Sequence, residues 1–483
     1  MGQTPNILFI CTDQQRTDTL ACYGNPLVDA PHLNALAQES FVFDRAYCTQ
    51  PWCTPSRSSI FTGLYPHTTG CTSNNLALRP DTATLAELVP ADYHCAYYGK
   101  WHLGNEVVAQ HGFTEWVATQ DLKVREFYSK PEYQERFSAY HHFLLKHGFE
   151  PDVDSAGARV FSMAAYRMPL PQTRPMFLAQ RAAQFLRRDH DGPWLLAVNF
   201  HEPHNPYTGP YNDRHDPADI VLSPNFLRPP PDDAPAVIRE RAGYLGDTTM
   251  EGCDLSTEAG WRRLRANYWG LVTLVDQAVG EILTALDEAG AAAQTVVVFT
   301  SDHGDMMGDH HLRGKHVPYE EAVRIPLMIR VPWLDQKPPR ISGQVSQVDL
   351  VPTLLELVDQ PVPGHLQGES RAAVLRGEDT LADNDVVIEW NDTAQVNPPI
   401  SPRATADFRR RESAPRRTMI SHDGWKLNLY ATDRGELYDL SSDPHELHNV
   451  FDQPAHAGRI RDLTEGLRRW QERTADHVDL LTP

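Results

Sequence analysis

The sequence has no stretch approaching the ~18 uninterrupted apolar residues of a membrane-spanning helix. Basic charge is also in deficit. Among 483 residues, 44 Lys and Arg face 64 Asp and Glu, a formal net charge of −20. Gripping a phosphate backbone needs a basic face, so nucleic acid is excluded as a partner. Cysteine is scarce, with seven residues at positions 11, 22, 48, 53, 71, 95 and 253 and no CxxC pair. An odd number at scattered spacings argues against a disulfide framework and a structural zinc site. The N-terminus shows no basic region, long apolar stretch or small-residue cleavage site, and Asn6 spoils a myristoylation signal. These absences predict a cytoplasmic protein with no membrane attachment.

What is present is material for a large core. The chain carries 17 Phe, 17 Tyr and 10 Trp with many short apolar runs, which excludes wholesale disorder. Asn6–Cys11, Tyr93–Tyr98, Trp194–Phe200, Val296–Thr300 and Ile325–Val331 read as buried strands. Pro31–Ser40 and Thr84–Val89 read as helices, and apolar residues at helical spacing predict a long one from Trp261 to Leu286. Alternating strands and helices imply an α/β fold, a large mostly parallel sheet sandwiched by helices. Ligands bind such sheets at the carboxyl ends of the strands. Asp13 and Asp302 each fall one or two residues past a strand end, so one crevice can hold both. Capping of a following helix is the ordinary alternative use of an Asp there.

Thr208–Gly260 is rich in Pro and Asp and reads as a long insertion. Beyond about Gly368 the character changes to short strands in a row, at Val386–Trp390, Arg417–Ser421, Lys426–Tyr430 and Glu436–Leu440. A terminal helix follows near Ala455–Ala475. This predicts a smaller C-terminal antiparallel α+β domain, with a catalytic domain at 1–367 and the smaller one at 368–483.

The most specific feature is Cys53-Thr54-Pro55-Ser56-Arg57. It resembles the sulfatase signature C-x-P-x-R, whose Cys is oxidised to the aldehyde formylglycine (3-oxoalanine). Gly99-Lys100-Trp101-His102-Leu103-Gly104, Ser301-Asp302-His303-Gly304-Asp305 and Gly314-Lys315-His316 with Tyr319-Glu320 resemble further blocks of that family. So does the ending Glu436-Leu437-Tyr438-Asp439-Leu440 with Asp443-Pro444. On these motifs the chain is identified as a member of the type I sulfatases, in the alkaline phosphatase superfamily. The resemblance implies a sulfate ester substrate, of a small molecule or a saccharide, and a formylglycine-generating enzyme as partner in maturation.

The chemistry is coherent with the residues. A serine nucleophile would form a sulfated enzyme that still has to be hydrolysed. A hydrated aldehyde offers one hydroxyl to attack sulfur and a second to expel sulfate by re-forming the carbonyl. By resemblance, Asp13, Gln14, Asp302, His303 and the modified Cys53 hold a divalent metal. An oxygen-rich set suits Ca²⁺, or Mg²⁺ in a tight cage. Many members have a second Asp at the position of Gln14 and an Asn at that of His303, and the added nitrogen brings Mn²⁺ into range.

The same resemblance assigns Arg57, Lys100 and Lys315 to neutralising the sulfate, and Arg57 also to pinning the formylglycine hydroxyl. It assigns His102 to taking the proton that lets the hemiacetal collapse. His204, with Lys315, would protonate the leaving oxygen. His201 is a further substrate-binding candidate, with an ordinary strand-end histidine as its alternative. Either Asn74 or Asn75 is expected to face the sulfate, although Thr72-Ser73-Asn74-Asn75 also reads as a turn.

Six arginines lie between Ser401 and Arg417, at 403, 409, 410, 411, 416 and 417. They are either an anion-selecting rim of the pocket or a solvated loop. Two competing functions complete the reading. One is a phosphonate monoester or phosphodiester hydrolase of the same superfamily, which shares the Asp-His metal pair. The other is a silent binding protein in which Cys53 stays a thiol.

Overall fold

Continuous β-branched and aromatic runs build the middle of one large sheet in the computed structural model, which describes residues 4–120, 136–149, 168–245, 249–334, 340–392 and 404–481. Asn6–Asp13, Trp194–Pro203 and Thr295–Ser301 are buried at every position, as strands covered on both faces must be. Across the sheet the strands run Arg340–Ser346, Phe41–Tyr47, Leu327–Arg330, Thr295–Ser301, Asn6–Asp13, Trp194–Pro203, His94–Gly99 and Glu115–Ala118. Leu327–Arg330 is antiparallel to both neighbours, and Arg324–Ile325 pairs antiparallel with Phe41–Tyr47. The other pairings are parallel.

The alternation of side chains along a strand sorts the core into two halves. Leu8 and Ile10 face the helices Pro31–Gln38, Arg174–Leu186 and Glu258–Glu288. Ile7, Phe9 and Cys11 face Cys53–Thr62 and Leu350–Leu357. Glu258–Glu288 is long and apolar enough by length and composition to cross a membrane, yet its apolar window is largely buried inside the protein. Thr257 caps it, accepting the Gly260 N–H.

The expected strand Ile325–Val331 is broken in two by Pro326, which has no N–H to give to a ladder. The presumed insertion is also more than a loop. Its helix Ala236–Leu245 sets Val237, Ile238 and Ala242 against Met306, Leu312, Tyr319 and Phe408.

Toward the C-terminus, Val386–Trp390, Arg416–Ile420, Trp425–Tyr430 and Glu436–Asp439 form a four-stranded antiparallel sheet in that order. The helix Ala457–Thr474 lays Leu463, Leu467 and Trp470 on its Met419, Leu427 and Leu429. The two sheets are tied by Lys426. Its buried ammonium lies 2.8 Å from Glu446 and 3.1 Å from Glu320, which Tyr47 of the large sheet also reaches.

Two carboxylates compete there for one cation. Burial, opposed by Lys426 and assisted by Glu320, pushes Glu446 up to about 8. Lys426→Met, which strands both carboxylates, is expected to cost about 3–5 kcal/mol in urea denaturation. Because the folded pKa of Glu446 lies above its unfolded value, its contribution is fully present below about pH 4.5 and disappears as pH rises through about 8. Stability of the native chain should therefore decline between pH 5 and 9, and Glu446→Gln should flatten that decline.

Candidate active site

Asn6–Asp13 and Thr295–Ser301 are parallel neighbours with Thr12 opposite Ser301, so the residues that follow, Asp13 and Asp302, emerge side by side. The helix Cys53–Thr62, buried at all ten positions, delivers Cys53 to the same point from its N-terminus. Ligand atoms of Asp13, Cys53, Asp302 and His303 all lie within 4.8 Å of one another, and all four residues are buried. Sγ of Cys53 is 3.0 Å from Lys315 Nζ, 3.4 Å from His303 Nε2 and 3.7 Å from Asp13 Oδ1.

Cations surround this acidic pair. Lys100 Nζ donates to Asp13 Oδ2. Gly99 makes that approach possible: at φ +110°, its missing Cβ would fall 1.9 Å from the carbonyl oxygen of Asn199. Arg57 sits beneath the cluster with its donors engaged. Nε binds Asp302 Oδ2 at 3.0 Å, Nη2 binds Asp13 Oδ2 at 3.2 Å, and Nη1 binds the Lys100 carbonyl and Asn199. Its guanidinium thus holds the two carboxylates apart and in place.

The protonation pattern follows. Burial and the charge of Asp13 push Asp302 up to about 6. Burial acts on Asp13 in the same sense, but Lys100, His204 and Lys315 override it and hold its carboxyl well below the usual range. Burial also opposes a thiolate at Cys53, and Lys100, Lys315 and His303 overcome it.

The remaining predicted residues converge on the same crevice in different ways. Gln14 adopts φ +68° and accepts from Lys315 Nζ through its side-chain oxygen at 2.8 Å. His102 and His204 both face Cys53 and both titrate below the ordinary histidine range, through burial and then through Lys100 and Lys315 respectively; His102 falls to about 4. His201 lies against His204, the rings tilted at 46° with centres 4.7 Å apart, and its nitrogens meet Gln120 and the Asn205 carbonyl. It supports His204 from the second row.

The two asparagines are also distinct. Asn74 accepts the N–H of Thr54 at 2.9 Å, capping the first turn of the Cys53 helix, while Asn75 contacts His102 Nε2 at 3.1 Å. Among the described residues, the arginine-rich stretch is a helix, Ala406–Ser413, followed by the strand Arg416–Ile420, with Arg409 and Arg410 exposed. Arg403 lies outside the described residues. Arg409 binds the Ala404 carbonyl, Arg410 and Arg411 pair with Asp407, and Arg411 reaches Glu240. Arg416 stacks over Trp390 at 4.5 Å, and Arg417 is buried on Asp476.

The donor set fits a divalent cation. His303 Nδ1 donates to the Gly304 carbonyl at 2.9 Å, which turns the other nitrogen toward Asp13 and Asp302. Burial resists charge on His303, but Asp302 raises its pKa, so the carboxylates draw positive charge to that nitrogen.

A family model described as Sulfatase matches residues 5–360. The chain belongs to the sulfatase family, and it is a hydrolase of sulfuric ester bonds. It is 30% identical to an ulvan-active sulfatase of Formosa agariphila, over 80% of this chain and 67% of that one. Among solved structures it overlays a phosphonate monoester hydrolase of Agrobacterium radiobacter with a TM-score of 0.79 at 24% identity, over 97% and 96% of the two chains. It overlays a protein solved with its substrate D-glucosamine-2-N,6-O-disulfate at 0.74 and 22%, over 98% and 99%. These neighbours share the alkaline phosphatase-like architecture, a mostly parallel sheet with a C-terminal antiparallel one.

Sequence reasoning did not single out Asn199, Glu106 or Tyr207 of this sulfatase. Glu106 accepts the N–H groups of Trp101 and His102 at 2.9 and 2.6 Å, and burial pushes it up to about 7. Asn199 interrupts the apolar run Trp194–Phe200, and that lone amide is the available signal.

Asn74→Ala removes the acceptor for a buried N–H and is expected to cost about 1 kcal/mol in chemical denaturation. Asn74→Asp, which keeps the acceptor, should retain most of that stability.

Proposed function

We propose that this sulfatase hydrolyses the sulfate ester of a carbohydrate or an aryl alcohol, releasing the alcohol and inorganic sulfate through formylglycine made from Cys53. The observation that carries the reading is the meeting of Cys53 with two buried carboxylates, His303 and Lys315 at one strand-end crevice. A saccharide substrate draws support from the names of the ulvan-active relative and of the glucosamine disulfate complex.

Asp13, Gln14, Asp302 and His303 would hold the metal, Ca²⁺ by the oxygen-rich set, with Mg²⁺ and Mn²⁺ as the alternatives. Bound there, the cation supplies Lewis-acid charge that lets an anionic ester approach an anionic site. The aldehyde hydrate supplies a hydroxyl for attack on sulfur and a second hydroxyl for release of sulfate. Lys100 and Lys315 compensate the charge of the bound ester. Lys315, with His204, delivers a proton to the leaving oxygen, and His102, neutral above pH 5, accepts the proton that accompanies sulfate release. Arg57 acts through Asp13 and Asp302, as a positioning residue. Cys53, Pro55 and Arg57 are all buried in the folded chain, so the maturation enzyme would have to reach Cys53 before this helix docks.

A second reading, hydrolysis of phosphonate monoesters or phosphodiesters, draws support from the Asp302-His303 pair and from the overlay on a phosphonate monoester hydrolase. Formylglycine-containing protein, verified by peptide mass, should be assayed for kcat/KM on matched aryl sulfate and aryl phosphonate esters. The sulfatase reading expects sulfate to win by orders of magnitude, with Cys53→Ala losing about 10⁴-fold or more. A preference for the phosphorus esters transfers the conclusion to the second reading.

A further inference from the structure

An amide side chain can present either end to a cation, and only its neighbours decide which. Around Gln14 every neighbour agrees. One hydrogen of its Nε2 goes to the Tyr207 hydroxyl oxygen at 2.8 Å and the other to Asp305 Oδ2. The Tyr207 hydroxyl in turn donates to the same Asp305 oxygen. The other oxygen of Asp305 accepts the N–H groups of Met307 and Gly314, both at 2.9 Å. With both amide hydrogens taken, the carbonyl oxygen of Gln14 is left facing Lys315 Nζ. The backbone of Gln14 is fixed as well, its N–H on Asp302 Oδ1 at 3.0 Å and its carbonyl on the Tyr268 hydroxyl at 2.7 Å.

We propose that Asp305 and Tyr207 are positioning residues that lock the Gln14 amide with its oxygen toward the cation and Lys315. The same carboxylate ties that amide to Gly314, the residue before Lys315, so one group sets both. The requirement is peculiar to an amide at position 14. A carboxylate there has no wrong end, and beside Asp305 it would meet a like charge instead.

That difference provides the test. The proposal rests on the cation-site reading of the crevice, so the readout is calorimetric titration of the unmodified chain with Ca²⁺ and with Mn²⁺, free of any dependence on turnover. Asp305→Asn keeps the oxygen that serves Met307 and Gly314 but turns a donor toward Gln14 and Tyr207. It is expected to weaken cation binding about 10–100-fold, the usual effect of losing a partner that orients a metal ligand. In a Gln14→Asp background the same substitution should strengthen binding or leave it unchanged, because it now removes a repulsion. Tyr207→Phe, a milder change that tests the lock should Asp305→Asn fail to fold, should weaken binding only when Gln14 is present.

Equal losses in both backgrounds, or no loss in either, overturn the proposal. A chain that prefers phosphonate esters but shows the reversal would sink the sulfatase reading and leave this one standing. A native chain that binds neither cation would sink both.

Discussion

Two carboxylates forced together at the ends of adjacent parallel strands are the constraint on which this site is built. Asp13 and Asp302 have no choice of position, because the register that pairs Thr12 with Ser301 fixes them. Two like charges within 4.8 Å repel by about 3–4 kcal/mol at an effective dielectric of about 20, before any cost of burial. Arg57, Lys100, His303 and Lys315 answer that charge from four different segments. The buried guanidinium of Arg57, which looks at first like an expensive ornament, is what makes the pair tolerable in the absence of solvent. A divalent cation held by Asp13, Asp302 and His303 would complete a balance that the chain's own cations have largely set.

The same logic explains how much could be read beforehand. Cys53, Lys100, Asp302 and Lys315 were legible because each sits inside a short motif whose residue types have a chemical reason to occur together, and Asp13 because it follows the end of a buried strand. The strands that carry them were legible because buried strands are continuous apolar runs. Val296–Thr300 and Trp194–Phe200 were placed to within a few residues. The helix Cys53–Thr62 escaped notice because it is buried all round and rich in Ser and Thr, so no amphipathic period marks it.

Roles that depend on orientation were not legible. Asn74 and Asn75 are adjacent and identical in type, yet one caps a helix and the other touches His102. Their difference is a backbone direction, Asn75 lying at φ +68°. The arginines beyond Ser401 mislead for a related reason. Their density left a rim and a solvated loop as alternatives, but a helix followed by a strand turns successive residues in different directions. Arg411 reaches Glu240, Arg416 lies on Trp390, and Arg417 is buried on Asp476.

Those contacts let the C-terminal sheet hold the segment that carries Lys315. Arg416 donates to the carbonyl of His316, the residue after Lys315, and Trp390 packs against the His316 ring at 5.1 Å. Arg241, held by Glu412, binds the Lys315 carbonyl at 3.0 Å and the His316 ring at 3.1 Å. The backbone that aims Lys315 is therefore clamped from one side by the second sheet and from the other by Asp305. A flexible side chain such as lysine is a poor instrument for placing charge unless its backbone is fixed, since its rotamer entropy is lost only once contacts define both ends. Here Gln14 and Cys53 define the ammonium end and the two clamps define the backbone, so charge is presented to the ester in one place.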